Sequence, residues 1–86
     1  MNKNNNNNAT IGWNEIAKSK KGTRTNDDQP CGNILSEYDD KIVILEGVVN
    51  VHEYVVPKSK VSYYDGCEVH LTIPYNILSI FKVKRE

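Results

Sequence analysis

The sequence predicts a small, mostly β domain, and three features carry that prediction. Short runs rich in β-branched residues recur with turn signals about every ten residues. No long stretch carries a helical period, and residues 67–73 alternate strictly between apolar and polar. Together these indicate an antiparallel barrel or sandwich.

Taken in chain order, residues 1–10 are nearly all Asn, have nothing to bury, and are expected to form a disordered tail ahead of one domain over residues 11–86. Ile11, Trp13 and Ile16 are the first apolar residues able to dock, and the Trp13/Ile16 spacing suits one face of a short helical turn. Trp13 has two readings, a clamp holding the N-terminal segment on the domain or an exposed aromatic for a partner. A first strand is expected near residues 22–25. Asn26, Asp27, Asp28, Gln29, Pro30 and Gly32 then read as a turn or loop, with Cys31 inside it.

The C-terminal half is more explicit. Ile42, Val43, Ile44 and Leu45 lie between the turn candidate Asp39-Asp40 and Gly47, as in a strand buried on both faces or in a closed barrel. Residues 52–56 form a second β-rich run that stops at Pro57, which cannot donate a ladder hydrogen bond. Asp65-Gly66 is a hairpin signal of type I′, a turn that needs positive φ at both central residues. After it Cys67, Val69, Leu71 and Ile73 should face the core, and Glu68, His70 and Thr72 the solvent. Pro74 ends that strand, one short turn follows over residues 75–79, and residues 80–83 can close the fold as a strand or tail.

Composition narrows function. The chain has 86 residues, with 11 Lys plus Arg against 11 Asp plus Glu, so no global field steers it to nucleic acid or anionic lipid. A domain this small buries a modest core and rarely encloses a deep pocket, which weighs against an enzyme and against a small-molecule substrate. Its longest apolar runs, residues 42–45 and 48–51, fall far short of the ~20 residues of a bilayer span, and residues 1–10 lack the apolar segment expected of a signal peptide. The expected compartment is the cytoplasm, with Cys31 and Cys67 as reduced thiols.

The order of residues 26–34, then 41–47, then Glu53-Tyr54-Val55-Val56-Pro57-Lys58-Ser59-Lys60-Val61, then Tyr64-Asp65-Gly66-Cys67-Glu68-Val69-His70-Leu71 resembles PRC-barrel-like proteins. The short archaeal members are the most similar, with a "Y-x-x-P-K-x-x-V … D-G … L" progression. The resemblance implies an all-β fold, a small closed antiparallel β-barrel of about six short strands. Such barrels occur in the photosynthetic reaction-centre H subunit, a ribosome-maturation factor and an archaeal cell-division scaffold. Their shared theme is docking onto other macromolecules, and no catalytic residue belongs to the barrel.

No chemistry-bearing constellation stands out. Cys31, His52, Cys67 and His70 could in principle ligate zinc, but Cys67 and His70 are three apart on one strand and face opposite sides, so no metal or cofactor is expected. Cys31 lies near Asp27 and Asp28, whose negative charge would raise its thiol pKa and disfavour a nucleophile; the adjacent acids Asp27/Asp28 and Asp39/Asp40 read as turn formers, and no phosphate-binding Gly-rich loop is seen. The expectation is a non-enzymatic adaptor that docks to a protein assembly or to itself, with Trp13, Lys58, Lys60, Tyr63 and Tyr64 as candidate partner-binding residues. The alternative is a barrel binding RNA or single-stranded nucleic acid. There Lys18, Lys20, Lys21, Arg24, Lys58, Lys60, Lys82, Lys84 and Arg85 would supply charge, and Tyr63 and Tyr64 would stack on bases.

Overall fold

The computed structural model describes residues 11–84; the Asn-rich segment and Arg85 lie outside the described residues. A short helix α1 (Trp13–Lys18) leads into β1 (Gly22–Arg24), β2 (Pro30–Glu37), β3 (Lys41–Glu46) and β4 (His52–Pro57). A 3₁₀ turn (Lys58–Lys60) precedes β5 (Val61–Tyr64) and β6 (Glu68–Leu71), and the chain finishes with α2 (Tyr75–Leu78) and a 3₁₀ turn (Ser79–Phe81).

The strands form one six-stranded sheet in the order β4-β3-β2-β1-β6-β5. Strands β2, β3 and β4 make an antiparallel meander, with Ile34 opposite Ile44 and Ile44 opposite Tyr54. Strands β5 and β6 make a hairpin, with Tyr63 opposite His70. The two halves are joined through β1, which pairs antiparallel with β2 and parallel with β6, Thr23 facing Val69.

The closed antiparallel barrel expected from the sequence is therefore corrected to an open, mixed sheet. Closure would require β4 and β5 to pair, but they are the two ends of the strand order. The physical reason lies at the β4 edge: β5 and β6, of 4 residues each, pair with each other and with β1, and do not reach round to β4. Instead the C-terminal segment shields part of the β4 edge, where Lys82 bridges Tyr54 and the Val83 N–H donates to the Glu53 carbonyl at 2.7 Å. Short edges covered by other segments are a standard protection against unwanted strand pairing.

Apolar periodicity explains the core. Ile34, Ile42, Ile44, Val56, Val69 and Leu71 are buried on the sheet and meet Ile16 of α1 and Leu78 of α2. Val43 is buried as well, so β3 is covered on both faces, as its continuous apolar run predicts. Helix α1 ends in a Schellman-type turn: the Lys20 N–H reaches the Ala17 carbonyl, the Lys21 N–H reaches Ile16, and Lys20 adopts φ 50°.

Three further expectations are corrected. Cys31 lies in β2, fully buried, rather than in a loop, because the β1–β2 turn is tighter and strand pairing resumes at Pro30. The only hydroxyl proton of Thr23 goes to the Gly32 carbonyl at 2.9 Å, which makes the Cys31 thiol the donor to Thr23 Oγ1 at 3.0 Å. Burial pushes that thiol up to about 11. Cys67, expected in the core, is exposed, because strand β6 begins only at Glu68. The connection at Asp65-Gly66 is not type I′. Gly66 alone has positive φ, and Asp65 instead forms an Asx-type turn in which its Oδ1 accepts the Cys67 and Glu68 N–H groups at 2.8 and 2.7 Å.

The β1–β2 turn also fastens α2. Its Asn26 side chain donates to the Thr72 carbonyl at 2.7 Å, and Asp27 Oδ1 accepts the Tyr75 N–H at 3.1 Å, satisfying a helix-start donor for which Pro74 offers no side-chain acceptor.

Candidate functional site

Two surfaces at opposite edges of the sheet stand out. On the β5–β6 side, alternation turns Val69 and Leu71 inward and leaves Glu68 and His70 on the outer face. A bulge at Ser62 sets Tyr63 opposite His70, and the two rings stack in parallel with centroids 4.3 Å apart and planes 6° from coplanar. His70 Nε2 lies 2.7 Å from Asp65 Oδ2. The Glu68 N–H, the His70 ring and the Cys67 N–H, in that order, hold the Asp65 carboxyl down to about 2. The imidazole is thus fixed by a carboxylate on one edge and a phenol ring on one face.

Arg24 reaches the same face from β1. Its Nε and Nη2 donate to the two Glu68 oxygens at 2.9 and 3.3 Å, and Nη1 donates to the Asp28 carbonyl at 3.0 Å. The Glu68 contact raises the guanidinium above its ordinary value. Ligand atoms of Asp65, Glu68 and His70 all lie within 4.8 Å of one another, the kind of grouping that can hold a metal. Here both Glu68 oxygens already meet Arg24, and Asp65 is occupied by backbone N–H groups and His70. His52, on β4, is separated from β6 by three intervening strands.

The residues nominated from sequence do not share one surface. Trp13 is half-buried, with Lys58 Nζ 5.1 Å from its ring centre, and the same ammonium pairs with Glu37 at 2.7 Å. Lys60 offers its carbonyl to the Thr72 N–H at 2.7 Å. Tyr63 is 51% exposed on the outer face, whereas its neighbour Tyr64 packs against the core. Strand alternation separates these two tyrosines. Lys18 and Lys20 line a shallow groove between α1 and β2, beside Leu35 and Glu37.

Sequence reasoning missed the second surface, at the β4 edge. The loop between β3 and β4, residues 47–51, carries Val48 at 92% and Val49 at 89% exposure, and α2 and its 3₁₀ extension add Ile77 and Ile80. The two segments meet at Glu46, which accepts the Tyr75 hydroxyl at 2.9 Å. The signal was available in the residues. A run of Val next to Gly47 and Asn50 is turn chemistry with apolar side chains, and such side chains on a hairpin tip cannot reach the hairpin's own sheet. Among the described residues no helix is long and apolar enough to cross a membrane.

No family model, curated protein or solved structure matches the chain.

Proposed function

We propose that this chain is a non-enzymatic binding module that docks on a protein partner through the apolar end formed by the β3–β4 loop and α2. The observation that carries this reading is the exposure of Val48 and Val49 at a turn, where polar residues ordinarily sit. Contiguous exposed apolar side chains mark interaction sites, because their burial supplies the main drive for association. Tyr75, at the base of this end, offers the amphipathic ring enriched at interface centres. No catalytic residue is assigned.

A photo-activated cross-linker placed at Val49 in cells, with the exposed Ser59 as control position, tests the proposal. A discrete protein adduct is expected at Val49, absent at Ser59 and lost on Val48→Ser. Equal labelling at both positions, or an adduct indifferent to Val48→Ser, overturns it. Labelling by lipid instead of protein would also do so. Nucleic-acid binding has less support: Lys58 is engaged by Glu37 and Trp13, and Tyr63 and Tyr64 do not form one stacking platform.

A further inference from the structure

Asp65-Gly66 is the sole Asp-Gly pair in the chain, and no Asn-Gly pair occurs. An aspartyl side chain followed by glycine closes readily into a five-membered imide, because no Cβ shields the next amide nitrogen from the carboxyl carbon. The pair is open to solvent: both residues are exposed, and a Cβ built on Gly66 would meet nothing within 4 Å.

The folded turn restrains both reacting groups. Asp65 Oδ1 accepts the Cys67 and Glu68 N–H groups at 2.8 and 2.7 Å, and Oδ2 lies 2.7 Å from His70 Nε2. Rotation about either side-chain bond of Asp65 therefore costs at least one of these contacts. On the main chain, the Asp65 N–H donates to the Glu68 carbonyl at 3.1 Å, and the Tyr64 hydroxyl donates to the Gly66 carbonyl at 3.0 Å. Imide closure proceeds through the neutral acid, whereas the Glu68 N–H, His70 and the Cys67 N–H favour the anion.

We propose that Asp65-Gly66 is a latent self-modification site, kept closed by the folded turn and committed to isoaspartate when the β5–β6 turn opens locally. In the opened turn the Gly66 nitrogen bonds to Asp65 Cγ. The carboxyl's C–OH bond breaks, and the hydroxyl leaves as water with the amide proton. Water then adds to one of the two imide carbonyls. Cleavage on the Cγ side restores aspartate, and cleavage on the other side leaves the main chain running through Cγ. That product carries an extra backbone atom in the turn and its carboxylate on Cα, so the bonds to Cys67, Glu68 and His70 are lost and the Tyr63–His70 stack with them.

The test warms the full chain at neutral pH, folded and in concentrated urea, beside a synthetic peptide of residues 61–71. Isoaspartate at residue 65 is read by electron-transfer fragmentation of the tryptic peptide. The folded chain should isomerise about tenfold more slowly than the peptide, or slower still, because reaction waits on local opening. His70→Ala should speed the folded chain several-fold and leave the rate in urea unchanged. Tyr64→Phe, which removes only the hydroxyl bond to Gly66, is the second variant, and amide NMR confirms that each retains the sheet. In the purified isoaspartyl chain the His70 ring protons should lose the ring-current shift from Tyr63. A folded chain that reacts as fast as the peptide, absence of isoaspartate in urea, or folded rates that neither variant raises overturns the proposal.

Discussion

Tyr75 donates its hydroxyl to the Glu46 carboxylate, at 3.0 and 2.9 Å from the two oxygens, so a residue of α2 is tied to the end of β3. Tyr54 donates to the same carboxylate at 3.0 Å. Two phenols on one anion favour their protonated forms, and both are raised above the ordinary tyrosine range. Burial is the larger cause at Tyr54, and the hydrogen bond to Glu46 at Tyr75.

The resulting alkaline behaviour has a definite sign. A folded-state pKa above the unfolded value contributes stability that is complete below about pH 10 and is lost as pH rises through the folded value. Of the five tyrosines, Tyr54 and Tyr75 should ionise last in a tyrosinate absorbance titration. Glu46→Gln should bring Tyr75 back toward the ordinary range while Tyr54, held by burial, stays raised. An unchanged Tyr75 in that variant would refute the assignment.

Gly32 sits at φ +110°, and a Cβ there would lie 2.3 Å from the Leu45 carbonyl oxygen on the neighbouring strand. Gly32→Ala should therefore cost about 3 kcal/mol or more in urea denaturation, combining backbone strain with a contact that the β2–β3 ladder cannot yield. Gly66→Ala is the control. It has φ +96° but nothing within 4 Å, and should cost about 1–2 kcal/mol from conformation alone.

Lys20 occupies the left-handed position that closes α1, where glycine is the usual residue. Its side chain is exposed, and the Asn33 amide contacts only its carbonyl. Lys20→Gly should raise stability by about 0.5–1 kcal/mol, seen as a higher urea midpoint with unchanged slope.

Acid should act mainly on two turns. Asp27, which accepts from Thr25 and the Tyr75 N–H, and Asp65, which organises the β5–β6 turn, are both lowered from the usual carboxylate value. A depressed folded pKa gives stability that is present above about pH 4 and lost as pH falls through the folded value. Between those limits the urea midpoint should decline. Asp27→Ala and Asp65→Ala should each start lower at neutral pH and fall less on acidification, whereas parallel curves would assign the acid loss to other groups.

Much of this fold was legible where the information is local. The β-branched run of β3, the stop of β4 at Pro57, the alternation through Val69, Leu71 and Ile73, and the turn at Trp13/Ile16 all follow from side-chain period and backbone restriction. Cys67 was misplaced because alternation continues formally into a turn, where the pleat that gives it meaning has ended. The closed barrel was wrong because it depends on which strands become neighbours. The parallel pairing of β1 with β6 joins residues as distant as Gly22 and Glu68, and no local pattern marks it. The Tyr63–His70 stack was hidden for a related reason: its register depends on one bulged residue, Ser62.

That parallel pairing also orders events during synthesis. While a ribosome is still making the C-terminal third, β1 has only β2 beside it, and its other rim of amide and carbonyl groups must wait in water. The nascent chain can pair β1 through β4 in order, but the far edge of β1 stays open until β6 is made. Completion waits for the β5–β6 hairpin to slot in along β1, and a truncation just before Glu68 would leave that strand a raw border.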